Sequence, residues 1–168
     1  RPSGCGGRQI HDRRADCKIL SIKCWTTYTE NQYNYPFDFD YSLLKDKSFV
    51  IAGSTGMIGS ALVDLLIRIS DRLDFDLRIV LLSRNIKNLE SRFAYYVNDR
   101  RIQFLEHDVT APFNNIVDAN YIIHAASDAN PIAYATKPVE VMQSNFIGML
   151  NLLNLGKECK SNRIMYVS

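Results

Sequence analysis

Short apolar runs alternate with longer amphipathic stretches from residue 47 to residue 168. Five runs have the length and apolar content of buried strands, and they cover residues 48–53, 77–83, 101–108, 120–127 and 163–167. Helical spacing or helix-start signals occur between them, at residues 57–70, 85–97 and 138–159. Strands that alternate with helices favour right-handed βαβ crossovers, so the pattern predicts an α/β fold whose parallel sheet is covered on both faces.

The predicted helices differ in how clearly they define a buried face. In 57–70 the apolar face predicted to meet the sheet comprises Ile58, Leu62, Leu65, Leu66 and Ile69. In 138–159 it comprises Val139, Met142, Phe146, Met149, Leu152 and Leu153. The stretch 85–97 is predicted to begin with Asn85 as its N-cap.

Residues 1–46 lack this alternation. We predict that 1–27, rich in Gly, Arg and Cys, form a disordered or atypical basic arm. Residues 28–46 are aromatic and acidic, and Pro36 interrupts any strand, so they are expected to be a lead-in that packs on the flank of the domain. The folded domain is then 47–168, which ends on its fifth strand with an exposed edge and is expected to be incomplete.

Charge and composition limit the classes of partner. The 168 residues carry a formal net charge of +2, with 46% hydrophobic side chains, which is ordinary for a soluble globular domain and does not indicate a nucleic-acid partner. The basic excess lies in residues 1–24, whose six basic and two acidic side chains give a net charge of +4. The alternative to a disordered arm is therefore a basic arm that contacts nucleic acid. No apolar run approaches the roughly 18–20 residues that span a bilayer, so no membrane association is expected.

The cysteines bear on metal binding and location. Cys5, Cys17, Cys24 and Cys159 form no C-x-x-C pair, so we predict no metal site. Free thiols and the lack of a visible secretory signal are typical of a cytoplasmic protein, and that is the expected location.

A glycine loop is the strongest motif. Residues 53–59 read G-x-x-G-x-x-G, directly after the first predicted strand and at the start of the first predicted helix. Gly53 suits the tight turn out of the strand, Gly56 allows close approach of a pyrophosphate, and Gly59 lets the helix lie near the sheet. The helix N-terminus offers free N–H groups and a positive dipole end to phosphates. The alternative is a glycine-rich turn without a ligand, which the strand and helix on either side make less favourable.

This spacing resembles the short-chain dehydrogenase/reductase superfamily, and three later segments agree with it. Asp108 follows the third strand, HAAS (124–127) ends the fourth, and Asn145 opens a pattern similar to N-x-x-G-x-x-N-x-L. That pattern belongs to the extended subgroup. The stretch 124–153 is similar to the UDP-glucuronate decarboxylase and dTDP-glucose dehydratase branch of the NAD-dependent epimerase/dehydratase family.

The resemblance implies a Rossmann-type doubly wound parallel sheet, truncated after strand five, that binds NAD(P). It implies that the cofactor is bound by Gly53, Ser54, Thr55, Gly56, Met57, Ile58, Gly59, Arg84, Asn85, Asp108, Val109, Ala125, Ala126, Ser127 and Asn145. In this family the acid at the position of Asp108 contacts the adenine amino group, although an Asp there can also simply cap a turn. His124 is more often a core histidine than an acid or base.

The choice between NAD and NADP depends on the end of the second strand. A carboxylate there normally binds the ribose 2′-hydroxyl of NAD, but residues 82–85 read LSRN. Arg84 could meet the 2′-phosphate of NADP or stack on adenine. The related epimerases and dehydratases keep NAD bound through each cycle, so the cofactor is expected to be NAD(P), with NAD favoured.

The resemblance also implies a reaction on a nucleotide-sugar substrate through a transient 4-keto sugar. In the extended subgroup a Ser or Thr after the fifth strand orients the substrate hydroxyl, and Ser168 is the candidate for that catalytic position or for the residue just before it. The extended subgroup carries a Tyr-x-x-x-Lys motif some 25 residues after the fifth strand, and no such motif follows that strand in this sequence. Whether the protein is an enzyme is therefore left open, and the chain alone is expected to be inactive. A homodimer is possible. The alternatives are a non-catalytic NAD(P)-binding regulatory module and a truncated product without activity.

Overall fold

The computed structural model describes residues 40–114, 118–127 and 131–167. Predictions for residues 1–27, for most of 28–46 and for Ser168 lie outside the described residues. The strands are β1 (Ser48–Ala52), β2 (Arg78–Ser83), β3 (Ile102–Glu106), β4 (Tyr121–His124) and β5 (Arg163–Tyr166). The helices are α1 (Met57–Leu73), α2 (Ile86–Arg92), α3 (Pro131–Thr136) and α4 (Pro138–Glu158), with 3₁₀ turns at Tyr41–Leu44 and Ala94–Tyr96.

The five strands form one parallel sheet in the order β3-β2-β1-β4-β5. In the central strand, Val50 is in register with Val80 of β2 and with Ile122 of β4. The chain first builds outward from β1 through β2 to β3, then returns to the other side of β1 for β4 and β5. This reversal is the arrangement of a doubly wound fold and confirms the predicted class.

The central strands form the core because their side chains are apolar on both faces. Val50, Ile51 and Ala52 of β1 are completely buried, as are Ile79 and Leu81 of β2. Burial on two faces is what a parallel sheet between two helical layers requires. β5 lies at one edge of the described sheet and is largely exposed, as expected for the fifth strand.

The predicted buried face of α1 is only partly correct. Leu66 and Ile69 are buried, but Ile58 is exposed, and Leu62 and Leu65 are half-buried. The buried face instead comprises Gly59, Ser60, Val63, Leu66, Ile67, Ile69 and Ser70. Small residues occupy this face where the helix lies closest to the loop and the sheet. The prediction considered only large apolar side chains and therefore did not include them.

The predicted buried face of α4 is wrong at most positions. Val139, Met142, Phe146 and Leu153 are exposed, with Phe146 at 70%, and Met149 is half-buried, so only Leu152 was assigned correctly. The face against the sheet comprises Val141, Gly148, Leu152, Leu155 and Gly156. The cause is again the close contact: a Cβ on Gly156 would lie 2.5 Å from Ile164 Cδ1. The helix is apolar on two faces, and the glycines mark the buried one.

Element ends also differ from the predictions. The helix that begins after Asn85 stops at Arg92, because buried Phe93 has φ −114° and ψ 34° and a 3₁₀ turn follows. Helix α3 was not predicted. β3 and β4 are shorter than expected because their last predicted residues lie in the loops at the carboxyl edge of the sheet. In the described part of the chain, no helix is long and apolar enough to cross a bilayer.

Candidate functional site

The carboxyl ends of four parallel strands bring most of the predicted site residues to one edge of the sheet. The glycine loop follows β1, Arg84 follows β2, Asp108 follows β3 and Ala125 follows β4. The strand order reverses between β1 and β4. Doubly wound folds bind their ligands in the crevice at the carboxyl ends of the strands beside such a reversal.

Gly53 joins the glycine loop to the turn after β4. Its φ is 79°, in the left-handed region, and a Cβ there would overlap the Ala125 carbonyl and lie 2.5 Å from Ala126 N. The Ala125 N–H also donates to the Ala52 oxygen at 2.8 Å. The two segments therefore touch backbone to backbone, which only glycine permits.

The N-terminus of α1 faces the crevice without a side-chain cap. Gly56 is the N-cap, with φ −71° and ψ 171°, and has no side chain to accept from the first N–H groups of the helix. A Cβ on Gly59 would lie 2.8 Å from Ser54 Cα, so the helix begins directly against the loop. Unpaired N–H groups and the dipole of a 17-residue helix favour an anion at this point.

Exposure varies along the loop. Thr55, Gly56, Met57 and Ile58 are exposed at the mouth of the crevice, and Met57 is 80% exposed. Ser54 lies completely inside. The loop thus presents backbone and side chains of several predicted contact residues to a ligand.

Two buried polar atoms lack a partner among the described residues, Ser54 Oγ and Asn145 Oδ1. A buried polar atom without a hydrogen bond costs about 1–3 kcal/mol, so such atoms are usually paired with water or a ligand. Both residues belong to the predicted cofactor site. A dinucleotide has many hydroxyl, amide and phosphate groups, and the residues present fit such a ligand.

Asp108 and Arg84 lie near each other at the β2–β3 side. Oδ1 of Asp108 accepts from the Thr110 N–H at 2.9 Å and from its hydroxyl at 2.8 Å. Burial raises the pKa of Asp108, but the two bonds from Thr110 and the positive charge of nearby Arg84 outweigh it, and the pKa is lowered. The structure therefore shows that Asp108 caps its turn through Oδ1. The same carboxylate is ionised, and the residue is exposed.

Asn85 is engaged in helix capping. Its side chain accepts from the Lys87 N–H at 2.9 Å, as predicted for an N-cap, and its own N–H donates to Ser83 Oγ at 3.2 Å. Arg84 is exposed beside it. Of these two predicted contacts, Arg84 offers its side chain and Asn85 has its carbonyl oxygen committed to α2.

His124 is a buried connector between the turn after β4 and helix α4. The Ala126 N–H donates to Nδ1 at 3.3 Å, so the proton lies on Nε2, which is 3.1 Å from the Ser144 oxygen. Burial lowers the pKa of His124, and the bond to Ser144 only partly offsets it. The ring is thus a neutral core histidine that anchors the turn Ala125–Ser127.

Helix α4 contributes one residue that the predictions missed. Asn145 follows Ser144 on this helix, and Asn151 lies six residues further on. The Asn151 Nδ2 donates to the carbonyl oxygens of Val109 and Ala111 at 2.8 and 3.1 Å. The signal was present in the sequence, because Asn151 is the second asparagine of the N-x-x-G-x-x-N pattern.

The remaining predicted residues differ in position. Val109 is buried, Ala125 and Ala126 are half-buried, and Ser127 is exposed. Ser168 lies outside the described residues. Within the described ranges, no group of three or more His, Cys, Asp or Glu side chains is placed to hold a metal ion.

Comparison with known proteins agrees with this geometry. The model of the NAD dependent epimerase/dehydratase family matches residues 49–168. The chain belongs to this family. The match includes every predicted cofactor residue and all of the sheet except Ser48.

Individual relatives of the family are similar over part of their length. UDP-glucuronic acid decarboxylase 3 of Arabidopsis thaliana is 32% identical over 108 residues, which cover 64% of this chain and 30% of that protein. The chain thus spans about a quarter of the length of the curated relatives that it matches.

Two solved structures share the fold. The Bordetella bronchiseptica enzyme WbmF, in complex with NAD⁺ and UDP, has a TM-score of 0.60 and 16% identity, covering 76% of this chain and 37% of its own. DesIV, a dTDP-glucose 4,6-dehydratase from Streptomyces venezuelae with NAD bound, has a TM-score of 0.56 and 18% identity, covering 70% of this chain and 38% of its own.

Proposed function

We propose that this chain is the NAD(P)-binding portion of an enzyme that modifies a nucleotide sugar through a transient 4-keto sugar. The observation that carries the proposal is the glycine loop Gly53–Gly59, which joins β1 to an uncapped helix at the point where the strand order reverses. No Tyr-x-x-x-Lys motif follows β5 in this sequence, and we propose that the chain is inactive without further residues.

Each part of the site has a defined task in this proposal. The N–H groups at the start of α1 bind the pyrophosphate, and Gly56 keeps its approach free of side-chain atoms. Asp108 binds the adenine amino group, while Ser54 and Asn145 use their unpaired oxygens to orient the bound molecule. A nicotinamide held by these residues would supply a reversible hydride acceptor, so the overall reaction would be redox-neutral.

The relatives support a uronic acid as the sugar. The matched Arabidopsis thaliana proteins are named UDP-glucuronic acid decarboxylases, and we propose UDP-glucuronic acid as the substrate class of the protein that contains this chain. Oxidation of the 4-hydroxyl would place a carbonyl next to the carbon that bears the leaving carboxylate. That carbonyl stabilises the carbanion formed when CO₂ departs, and protonation and hydride return complete the cycle.

The reaction is tested on a protein that continues beyond residue 168. UDP-glucuronic acid and a catalytic amount of NAD should give CO₂ and a UDP-pentose, without net formation of NADH. Stoichiometric NADH, or release of no CO₂ from an otherwise folded and NAD-binding protein, would contradict the proposed chemistry.

The cofactor preference is tested on the chain itself. We propose NAD, so calorimetry should give a dissociation constant for NAD no weaker than that for NADP. Arg84→Ala should reduce NADP affinity more than NAD affinity, because a charged hydrogen bond to the 2′-phosphate is lost only with NADP. A large NADP preference in the wild type would show that the proposed cofactor is wrong.

A further inference from the structure

The Asn151 side chain of helix α4 hydrogen-bonds to the loop that carries Asp108. The two N–H donors of the Asn151 amide meet two acceptors, the Val109 oxygen at 2.8 Å and the Ala111 oxygen at 3.1 Å. These carbonyls lie on either side of Thr110. The amide therefore fixes both ends of the short segment that contacts the carboxylate of Asp108.

Close packing brings the helix within reach of the loop. A Cβ on Gly148 would lie 2.9 Å from Val109 Cγ2, so α4 lies directly on the buried Val109 side chain. Asn151 is three residues further along the helix, almost one turn, and so lies on the same side. The glycine and the asparagine together set the distance between loop and helix.

Hydrogen bonds connect this loop segment to Asp108. The Ala111 N–H donates to the Asp108 carbonyl at 2.9 Å, and both the N–H and the hydroxyl of Thr110 donate to Asp108 Oδ1. Asp108 is therefore held by the same turn whose two carbonyls Asn151 binds. Asp108 is exposed and stands next to a segment that is fixed on both sides.

We infer that Asn151 is a positioning residue for the adenosine end of the cofactor site: it holds the loop so that Asp108 can accept a hydrogen bond from the adenine amino group. This inference rests on the proposed function. The Asn151 amide nitrogen is already bonded to the two loop carbonyls. It acts through Asp108, so its loss should affect recognition of the amino group rather than dinucleotide binding in general.

Recognition of that group is measured with NAD and with nicotinamide hypoxanthine dinucleotide, in which an oxygen replaces the amino group. We expect the wild-type chain to bind NAD about tenfold or more tightly, since one hydrogen bond to a charged acceptor is lost with the analogue. The quantity compared among variants is the ratio of the two dissociation constants. Partial unfolding weakens both ligands by the same factor, so a purely structural role leaves this ratio unchanged.

The variants separate positioning from stability. Asn151→Leu removes both donors at similar volume, and Asp108→Asn keeps the shape of the acid but removes its charge. Asn154→Leu is the matched control, because Asn154 is an exposed asparagine on the same helix, three residues further on. If Asn151→Leu does not fold, Asn151→Ser provides the same test with a hydroxyl too short to reach either carbonyl.

We expect Asn151→Leu to lower the ratio toward that of Asp108→Asn, near one, while Asn154→Leu keeps the wild-type ratio. A wild-type ratio in the Asn151 variant would overturn the inference. So would a wild-type chain that binds both dinucleotides equally, which would leave the dinucleotide site itself standing. A wild-type chain that binds neither would overturn both this inference and the proposed function.

Discussion

Replacing Gly53 with alanine tests whether the glycine loop and the turn after β4 touch through their backbones. Gly53 has a φ of 79°, and an added Cβ would overlap the carbonyl group of Ala125 and lie 2.5 Å from Ala126 N. Ordinary carbon contacts need about 3.5–4.0 Å. One of the two segments must therefore move by about 1 Å to admit the methyl group.

The expected cost has two parts. A left-handed backbone costs an alanine about 1–2 kcal/mol more than a glycine, and overpacking against rigid neighbours adds about 1–3 kcal/mol. The free energy of unfolding should therefore fall by about 2–5 kcal/mol, a large part of the 5–15 kcal/mol that is typical of single domains. Urea unfolding followed by far-ultraviolet circular dichroism measures this change.

Gly56→Ala in the same loop is the matched control. Gly56 has a φ of −71°, and the nearest atom to an added Cβ is the Gly53 oxygen at 3.3 Å. Alanine is a poorer N-cap than glycine, so we expect a loss of about 1 kcal/mol or less. Equal losses for the two variants, or a loss below about 1 kcal/mol for Gly53→Ala, would refute the close approach of Gly53 to the turn after β4.

Two further predictions concern the buried connector and the orientation of α4. Because burial lowers the pKa of His124, the folded ring is neutral while the unfolded ring gains a proton below about pH 6.5, so the free energy of unfolding should fall as the pH decreases below that value. His124→Asn, which can still accept from the Ala126 N–H, should remove this part of the pH dependence, and identical profiles between about pH 5 and 7 would contradict it. Leu152→Ala should cost about 2–5 kcal/mol, because Leu152 is fully buried, whereas Phe146→Ala on the exposed face should cost about 0.5 kcal/mol or less. The reverse order in urea unfolding would show that the helix is turned the other way.

The sheet could be predicted from the sequence because its signal is local. Each central strand is a short apolar run, and each is followed by a loop residue with a distinct chemistry. The positions of Gly53 and Asp108 at one edge then follow from the parallel arrangement alone. Predicting the α/β class and the place of the glycine loop required no information about packing.

The buried faces of the helices could not be predicted in the same way. In α4 the large apolar side chains occupy two faces, and the face against the sheet is distinguished by Gly148 and Gly156, where space and not hydrophobicity decides. The motif marks Asn151 in the sequence, but what its side chain contacts could not be predicted, for a related reason. Its two partners are backbone carbonyls about forty residues earlier in the chain, and only the folded structure brings them together.

Calorimetric titration of NAD into this chain and into Gly56→Val tests whether the glycine loop is the centre of the proposed dinucleotide site. The glycine loop is proposed to bind the pyrophosphate, and valine at position 56 places a Cβ and two methyl groups in its approach. Ala61→Val is the control, because Ala61 is an exposed residue on the same helix. We expect saturable one-to-one binding by the wild type and by Ala61→Val, and no measurable binding by Gly56→Val. Wild-type affinity in a folded Gly56→Val chain would contradict the assignment of the glycine loop as the pyrophosphate site.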